Sequence, residues 1–220
     1  MEQKFKTIRP GGVNCYLLEA GSGYALIDTG VASGRSLLVK ELENTGVAPG
    51  SLKLIILTHG DSDHAGNCAF LREKYGVKIA MHIGDLGMAE HRDMSWNRKA
   101  KPDRMSLVFK TVSFVFSKLL KTPKFETFTP DIQIEDGQSL SEYGLDAKVL
   151  HLPGHSKGSI GILTKDGSLF CGDLMYNMPG FCFIDDLADY HASMEKLKGY
   201  RINMVFPGHG KPFLMRSKMK

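Results

Sequence analysis

Residues 57–67 read Leu-Thr-His-Gly-Asp-Ser-Asp-His-Ala-Gly-Asn and place His59, Asp61, Asp63 and His64 within six positions. Imidazole and carboxylate are the side chains that hold first-row divalent metals. In extended backbone alternate residues turn the same way, so His59, Asp61 and Asp63 share a side as the chain leaves the apolar stretch 54–57. Such a loop can grip a metal from one side. Gly-Asp-Ser-Asp is also ordinary turn vocabulary. It is the two histidines bracketing two aspartates that favour the metal reading.

Three separated positions strengthen it. His155 lies in His-Leu-Pro-Gly-His-Ser-Lys-Gly, Asp173 ends the apolar run 169–173, and His209 lies in Phe-Pro-Gly-His-Gly-Lys-Pro-Phe. Each is an ionisable residue at an expected strand-to-loop junction, with a glycine beside it that lets backbone or ligand approach closely.

The order His-x-Asp-x-Asp-His, then His, Asp and His, resembles the metallo-β-lactamase superfamily over about residues 14–213. The resemblance implies an α/β chain folded as a four-layer αβ/βα sandwich, with a two-metal site between two sheets. Residue by residue, it implies that His59, Asp61 and His155 hold a first ion, that Asp63, His64 and His209 hold a second, and that Asp173 bridges them. The implied cofactors are two divalent metal ions, zinc first by family frequency. The implied reaction is hydrolysis, a metal-bridging hydroxide attacking an ester, thioester, lactone, amide or phosphoester bond of a small molecule. Asp63 would accept a hydrogen bond from that hydroxide or carry its proton onward. Tyr176, three residues after Asp173, resembles in spacing a tyrosine that lactone-cleaving members place beside the scissile carbonyl; a packed loop aromatic is the other reading. Asp28, in Asp28-Thr29-Gly30, matches the family's first motif and is read as a group that orients a ligand or a turn.

One residue departs from the family pattern. The usual motif is His-x-His-x-Asp-His, and Asp61 stands at its middle histidine. A carboxylate occurs there in di-iron oxygen and nitric oxide reductases, as Glu, and in some hydrolase-like members, as Asp. A third carboxylate lowers the formal charge of the site from about +2 to about +1, which favours harder ions such as manganese or iron over zinc. Two other functions draw on the same ligands. One is a di-iron redox enzyme resembling the metal domain of flavodiiron proteins, which needs a flavin domain these residues do not contain. The other is a non-catalytic, metal-dependent ligand-binding protein. Substrate choice lives in loops that one sequence does not reveal.

The elements that must position these residues are legible in outline. Strands are expected at 14–19 and 24–28 around Gly21-Ser22-Gly23, at 77–82, 147–150, 160–163, 168–171 and 204–206, and helices at 36–44, 67–74 and about 190–197. With no linker or internal repeat, the 220 residues read as one domain. Segment 88–124 is an insert too long for a simple connection. Val108, Val112, Val115 and Leu119 form an apolar stripe in helical register, flanked by Phe109, Phe116 and Leu120. This segment reads as a helix on the domain's own core, as a strand, as a lid or subunit contact beside the metals, or as a membrane-surface element. The lid reading assigns substrate selection to Phe116 and Lys118.

Between Arg92 and Lys124 lie nine Lys and Arg against Asp93 and Asp103, so much of the basic excess behind the net charge of +4 sits in this insert. That bias points to an anionic small-molecule substrate. No motif for nucleic-acid processing is present, and no stretch reaches the length of a membrane span. Met1–Thr7 is charged without a following apolar region, and Cys15, Cys68, Cys171 and Cys182 lack metal or disulfide spacing. A reducing, cytoplasmic location is expected, with a homodimer left open by the subunit-contact reading. Of the other histidines, His82 is expected to support the site without ligating, and His91, His151 and His191 to stand outside it.

Overall fold

The computed structural model describes residues 2–119 and 125–217. Strands β1 (Phe5–Ile8), β2 (Cys15–Ala20) and β3 (Gly23–Ile27) lead to helix α1 (Arg35–Asn44) and strand β4 (Leu52–Ile56). The one-turn helix α2 (Ser62–Ala65), helix α3 (Cys68–Tyr75), strand β5 (Lys78–Met81) and helix α4 (Leu86–His91) complete the first half. The insert contributes β6 (Arg104–Met105) and α5 (Leu107–Leu119). Then follow β7 (Ile132–Gln133), β8 (Ala147–His151), β9 (Ile160–Thr164), β10 (Ser168–Gly172), β11 (Phe183–Ile184), α6 (Leu187–Leu197), β12 (Met204–Pro207) and β13 (Phe213–Leu214).

One sheet has the order β1-β2-β3-β4-β5-β7 and the other β13-β12-β10-β9-β8. Strand alternation divides the apolar residues into three layers. Leu26 of β3 and Ile55 of β4 face Leu38 and Leu42 of α1 and Leu71 of α3 on the outer side of the first sheet. Their neighbours Ile27, Leu54 and Ile56 face inward against Ile160, Ile162, Phe170 and Phe206 of the second sheet. Leu169, Cys171 and Val205 turn the opposite way and meet Leu197 of α6. The result is helix, sheet, sheet, helix, the four-layer αβ/βα sandwich that the family resemblance implies. Phe170 and Phe206 stack at its centre, 4.9 Å between ring centroids.

The expected strands and helices are present with small shifts. Helix α6 starts three residues before its expected onset, because Asp186 Oδ1 accepts the backbone N–H groups of Ala188 and Asp189 and caps it. Strand β1 was not expected; its four residues pair antiparallel with β2 at the sheet edge. The insert forms a helix in place of the alternative strand, with Leu107, Val108, Phe114 and Val115 exposed on it. The side chains of Val112, Phe116, Lys118 and Leu119, and residues 120–124, lie outside the described residues. Among the described residues no helix is long and apolar enough to cross a membrane.

Candidate metal centre

The seven positions singled out by spacing converge where strand ends of both sheets meet. His59 follows β4 by three residues, His155 follows β8 by four, Asp173 directly succeeds β10, and His209 follows β12 by two. Asp63 and His64 lie on α2. The loop therefore does not run extended from His59 to Asp63: His59 stands at a bend, Asp61 on extended backbone at φ −65°, ψ 145°, and Asp63 and His64 on one helical turn. The site requires a glycine at position 208, where a Cβ would lie 2.3 Å from Asp173 Oδ1 and 2.6 Å from His64 Cε1.

Ligand atoms fall into two groups, each within 4.8 Å: His59, His155 and Asp173 in one, Asp63, His64 and His209 in the other. Asp173 joins them. Its Oδ1 is 3.4 Å from His64 Nε2 and its Oδ2 is 3.4 Å from His209 Nε2. His59 and His64 pack with ring centroids 4.1 Å apart, and His59 and His155 with 4.6 Å.

Three of the histidines are held by their Nδ1 atoms, which leaves Nε2 directed inward. His64 Nδ1 donates to Asp28 Oδ2 at 2.8 Å. The Thr58 hydroxyl donates to the same oxygen at 2.7 Å, and Thr58 Oγ1 lies 3.0 Å from His59 Nδ1, positioned to accept its proton. The Tyr176 hydroxyl donates to Asp173 Oδ2 at 3.3 Å and lies 3.1 Å from His155 Nδ1. Asp28 thus orients two ligands, one directly and one through Thr58, from a backbone at φ 58°.

The donor set fits a pair of divalent ions on the structure's own terms. His59 Nε2, His64 Nε2 and Asp173 Oδ1 are buried and lack a hydrogen-bond partner among the described residues. Polar atoms in that condition cost free energy unless something binds them. Burial alone would hold His209 in its neutral form, yet Asp173 and Asp63 beside it raise its pKa to about 10. His64 is raised as well, with burial opposed by Asp173, Asp28 and Asp63. Burial works against the charge on Asp173 too, but His209 and His64 keep it well below the ordinary carboxylate range. The neighbouring carboxylates thus favour the protonated forms of His64 and His209. His155, by contrast, is pushed down, chiefly by burial, which favours its neutral form.

Asp61 has a partner that sequence spacing did not reveal. Its Oδ2 lies 3.0 Å from His155 Nε2 and 3.4 Å from His59 Nε2, but both its oxygens accept from Arg98, at 2.8 Å and 3.0 Å. Arg98 belongs to the insert, where composition shows it only as one of nine basic residues. The site charge inferred from carboxylates alone omits this guanidinium. A second missed residue, Asp85, is fully buried and accepts from Gly60 N, Gly158 N and Ser156 Oγ, tying the His59 loop to the His155 loop.

Tyr176 is buried among the ligands rather than standing free on its loop. Burial and then the neighbouring carboxylates raise its pKa well above normal, so it remains a neutral phenol. An aromatic wall continues from it. Phe181 packs on Tyr176 at 5.1 Å, Phe109 of α5 packs on Phe181 at 5.0 Å and on Phe183 at 4.9 Å, and Phe183 meets His155 at 5.2 Å. The ribbon of β6 and β11 anchors the insert to this wall. Lys99 of the insert is bound to Asp103 and Asp186. His82 does not reach the ligands; it stacks on His151 with centroids 4.0 Å apart and accepts from Gly84 N.

Comparison with known proteins agrees with this geometry. The family model described as the metallo-beta-lactamase superfamily matches residues 8–209. The Beta-lactamase-like protein 2 homolog of Drosophila melanogaster is 27% identical over 199 residues, covering 90% of this chain and 59% of that protein. The hydroxyacylglutathione hydrolase GloC of Haemophilus influenzae is 27% identical over 172 residues, covering 74% of this chain and 66% of its own length. The chain thus spans about three-fifths to two-thirds of these curated relatives. Among solved structures, TTHA1623 in a di-iron-bound form superposes with a TM-score of 0.70 at 27% identity, covering 99% of this chain and 97% of that one.

Proposed function

This chain belongs to the metallo-β-lactamase superfamily, and from that premise we propose that it is a dinuclear metal-dependent hydrolase of a small, anionic substrate. The observation that supports this most directly is the pair of candidate ligand groups joined by Asp173, with three buried atoms there, His59 Nε2, His64 Nε2 and Asp173 Oδ1, that have no hydrogen-bond partner among the described residues. Under this reading His59, His155 and Asp61 hold one ion, Asp63, His64 and His209 the other, and Asp173 both. When bound, such a pair supplies Lewis acidity and lowers the pKa of a water, so hydrolysis needs no strong protein base.

The chain's own residues supply the rest. Asp63 is the most open of the ligands, with 37% of its side chain exposed, and can accept a proton from an attacking water. Tyr176 keeps its proton and steadies Asp173 and His155. The wall of Phe109, Phe181 and Phe183 shields one side of the ligands from water, which strengthens every charge interaction inside.

Ester, thioester, lactone, amide and phosphoester bonds all suit this chemistry. A thioester is the first to test, supported by the relative named as a hydroxyacylglutathione hydrolase. Zinc leads as the metal on family grounds; iron is supported by the di-iron-bound neighbour, and manganese by the carboxylate-rich donor set. Four free cysteines, three of them buried, suit a reducing compartment such as the cytoplasm.

The test is metal analysis together with a hydrolase panel of thioesters, esters, lactones and phosphodiesters. Wild-type protein should retain about two ions, Asp173→Ala should lose both, and His59→Ala should lose mainly one, because a shared carboxylate serves both positions. Metal content indifferent to Asp173→Ala would overturn the proposal.

A further inference from the structure

Asp61 occupies the position at which the resemblance has a histidine, and Arg98 holds it in a two-pronged grip. Nη1 donates to Oδ1 at 2.8 Å and Nη2 to Oδ2 at 3.0 Å, the planar geometry in which guanidinium matches carboxylate best. This pair is built into the protein. Only 11% of the Arg98 side chain is exposed, Nη1 also donates to the Met94 carbonyl at 3.0 Å, and the guanidinium lies over the Phe183 ring at 5.2 Å. Nη2 reaches to 3.3 Å from His155 Nε2, so the cation borders the group formed by His59, His155 and Asp173.

A carboxylate and a guanidinium together carry no net charge, as a neutral imidazole carries none. On the reading in which His59 and His155 hold the first ion, we propose that Arg98 is a positioning residue that makes Asp61 the net-neutral counterpart of the usual histidine. The two residues then act as one unit in setting occupancy of the first metal position. Neither half can be exchanged alone. Replacing Asp61 by histidine leaves a buried guanidinium without its partner, facing the place where a divalent cation binds. Removing Arg98 together with Asp61 removes the conflict and leaves an ordinary histidine site.

The experiment compares wild type, Asp61→His, Arg98→Met and Asp61→His/Arg98→Met. Zinc content is measured after dialysis, affinity by competition with a chromophoric chelator, and the ligand field from cobalt spectra. Retention of the second ion, held by Asp63, His64 and His209, reports that each variant is folded. Asp61→His should weaken the first ion by at least about tenfold, the scale at which groups behind a metal ligand act. The double variant should restore it to near wild-type affinity, with a cobalt spectrum showing an added nitrogen ligand. If Asp61→His binds the first ion as tightly as wild type, or if the double variant binds no better than Asp61→His, the pairing has no such role. A wild-type protein that retains fewer than two ions would instead defeat the dinuclear reading, so the two failures are distinguishable.

Discussion

At the scale of single residues, the centre depends on which nitrogen of each imidazole is occupied. Thr58, Asp28 and Tyr176 engage the Nδ1 atoms of His59, His64 and His155, so Nε2 is the atom left for a metal in all three. The residue types were legible in the sequence. Their tautomers were not, because the partners come from positions up to 36 residues away. His209 yields a prediction with a definite sign. Its pKa rises from 6.5 to about 10 in the folded protein, so its ion pairs with Asp63 and Asp173 stabilise the metal-free state fully below about pH 6.5. That contribution is lost as the pH climbs through about 10. A metal ion must displace this proton, so metal affinity should increase with pH across the same window. Calorimetric titration of the metal-free protein near pH 7.5, in buffers of different ionisation enthalpy, should show release of about one proton or more. A heat independent of the buffer would contradict this.

At the scale of elements, two connections position the ligands. Asp85, at the start of α4, accepts three hydrogen bonds that join the loop after β4 to the loop after β8. Asp85→Ala leaves those buried donors unpaired and should cost about 3 kcal/mol, lowering Tm by about 6–12 °C in a chain of this size. An unchanged Tm would show that the link contributes little. Helix α5 is the other case. Its apolar stripe was legible from periodicity, but its destination was not, since what covers a helix depends on elements far away in sequence. Among the described residues, Phe109 brings the helix onto Phe181 and Phe183 of the aromatic wall. Phe109→Ala should raise KM for a thioester or ester substrate several-fold while leaving metal content at the wild-type value. A loss of thermal stability with KM unchanged would make the contact purely structural.

At the scale of the whole molecule, the candidate ligands come from both sheets of the sandwich. His59, Asp63 and His64 follow the first sheet, and His155, Asp173 and His209 follow the second. Ions shared between them would cross-link the halves and stabilise only the folded state. Metal at a hundred times its Kd should therefore add about 2.7 kcal/mol per site, or about 5–10 °C in Tm. Differential scanning fluorimetry with and without a chelator measures this shift, and Asp173→Ala should abolish most of it. An equal Tm in both conditions would mean that binding and folding are not linked.

The sequence by itself determined which strand residues turn to which face and where the candidate ligands lie along the chain. Alternating apolar residues in Leu54–Ile56 and Leu169–Cys171 divide between two faces of a strand whatever the partners are. Glycines beside His155, Asp173 and His209 likewise mark where the backbone must pass close to other groups. What only the tertiary structure decided was the pairing among distant charges. Asp61 looked like one carboxylate too many until Arg98, 37 residues on, was found gripping both its oxygens. Local pattern records what a residue needs, and folding decides which distant residue supplies it, because Coulombic and hydrogen-bond partners are chosen by distance in space and carry no period along the chain.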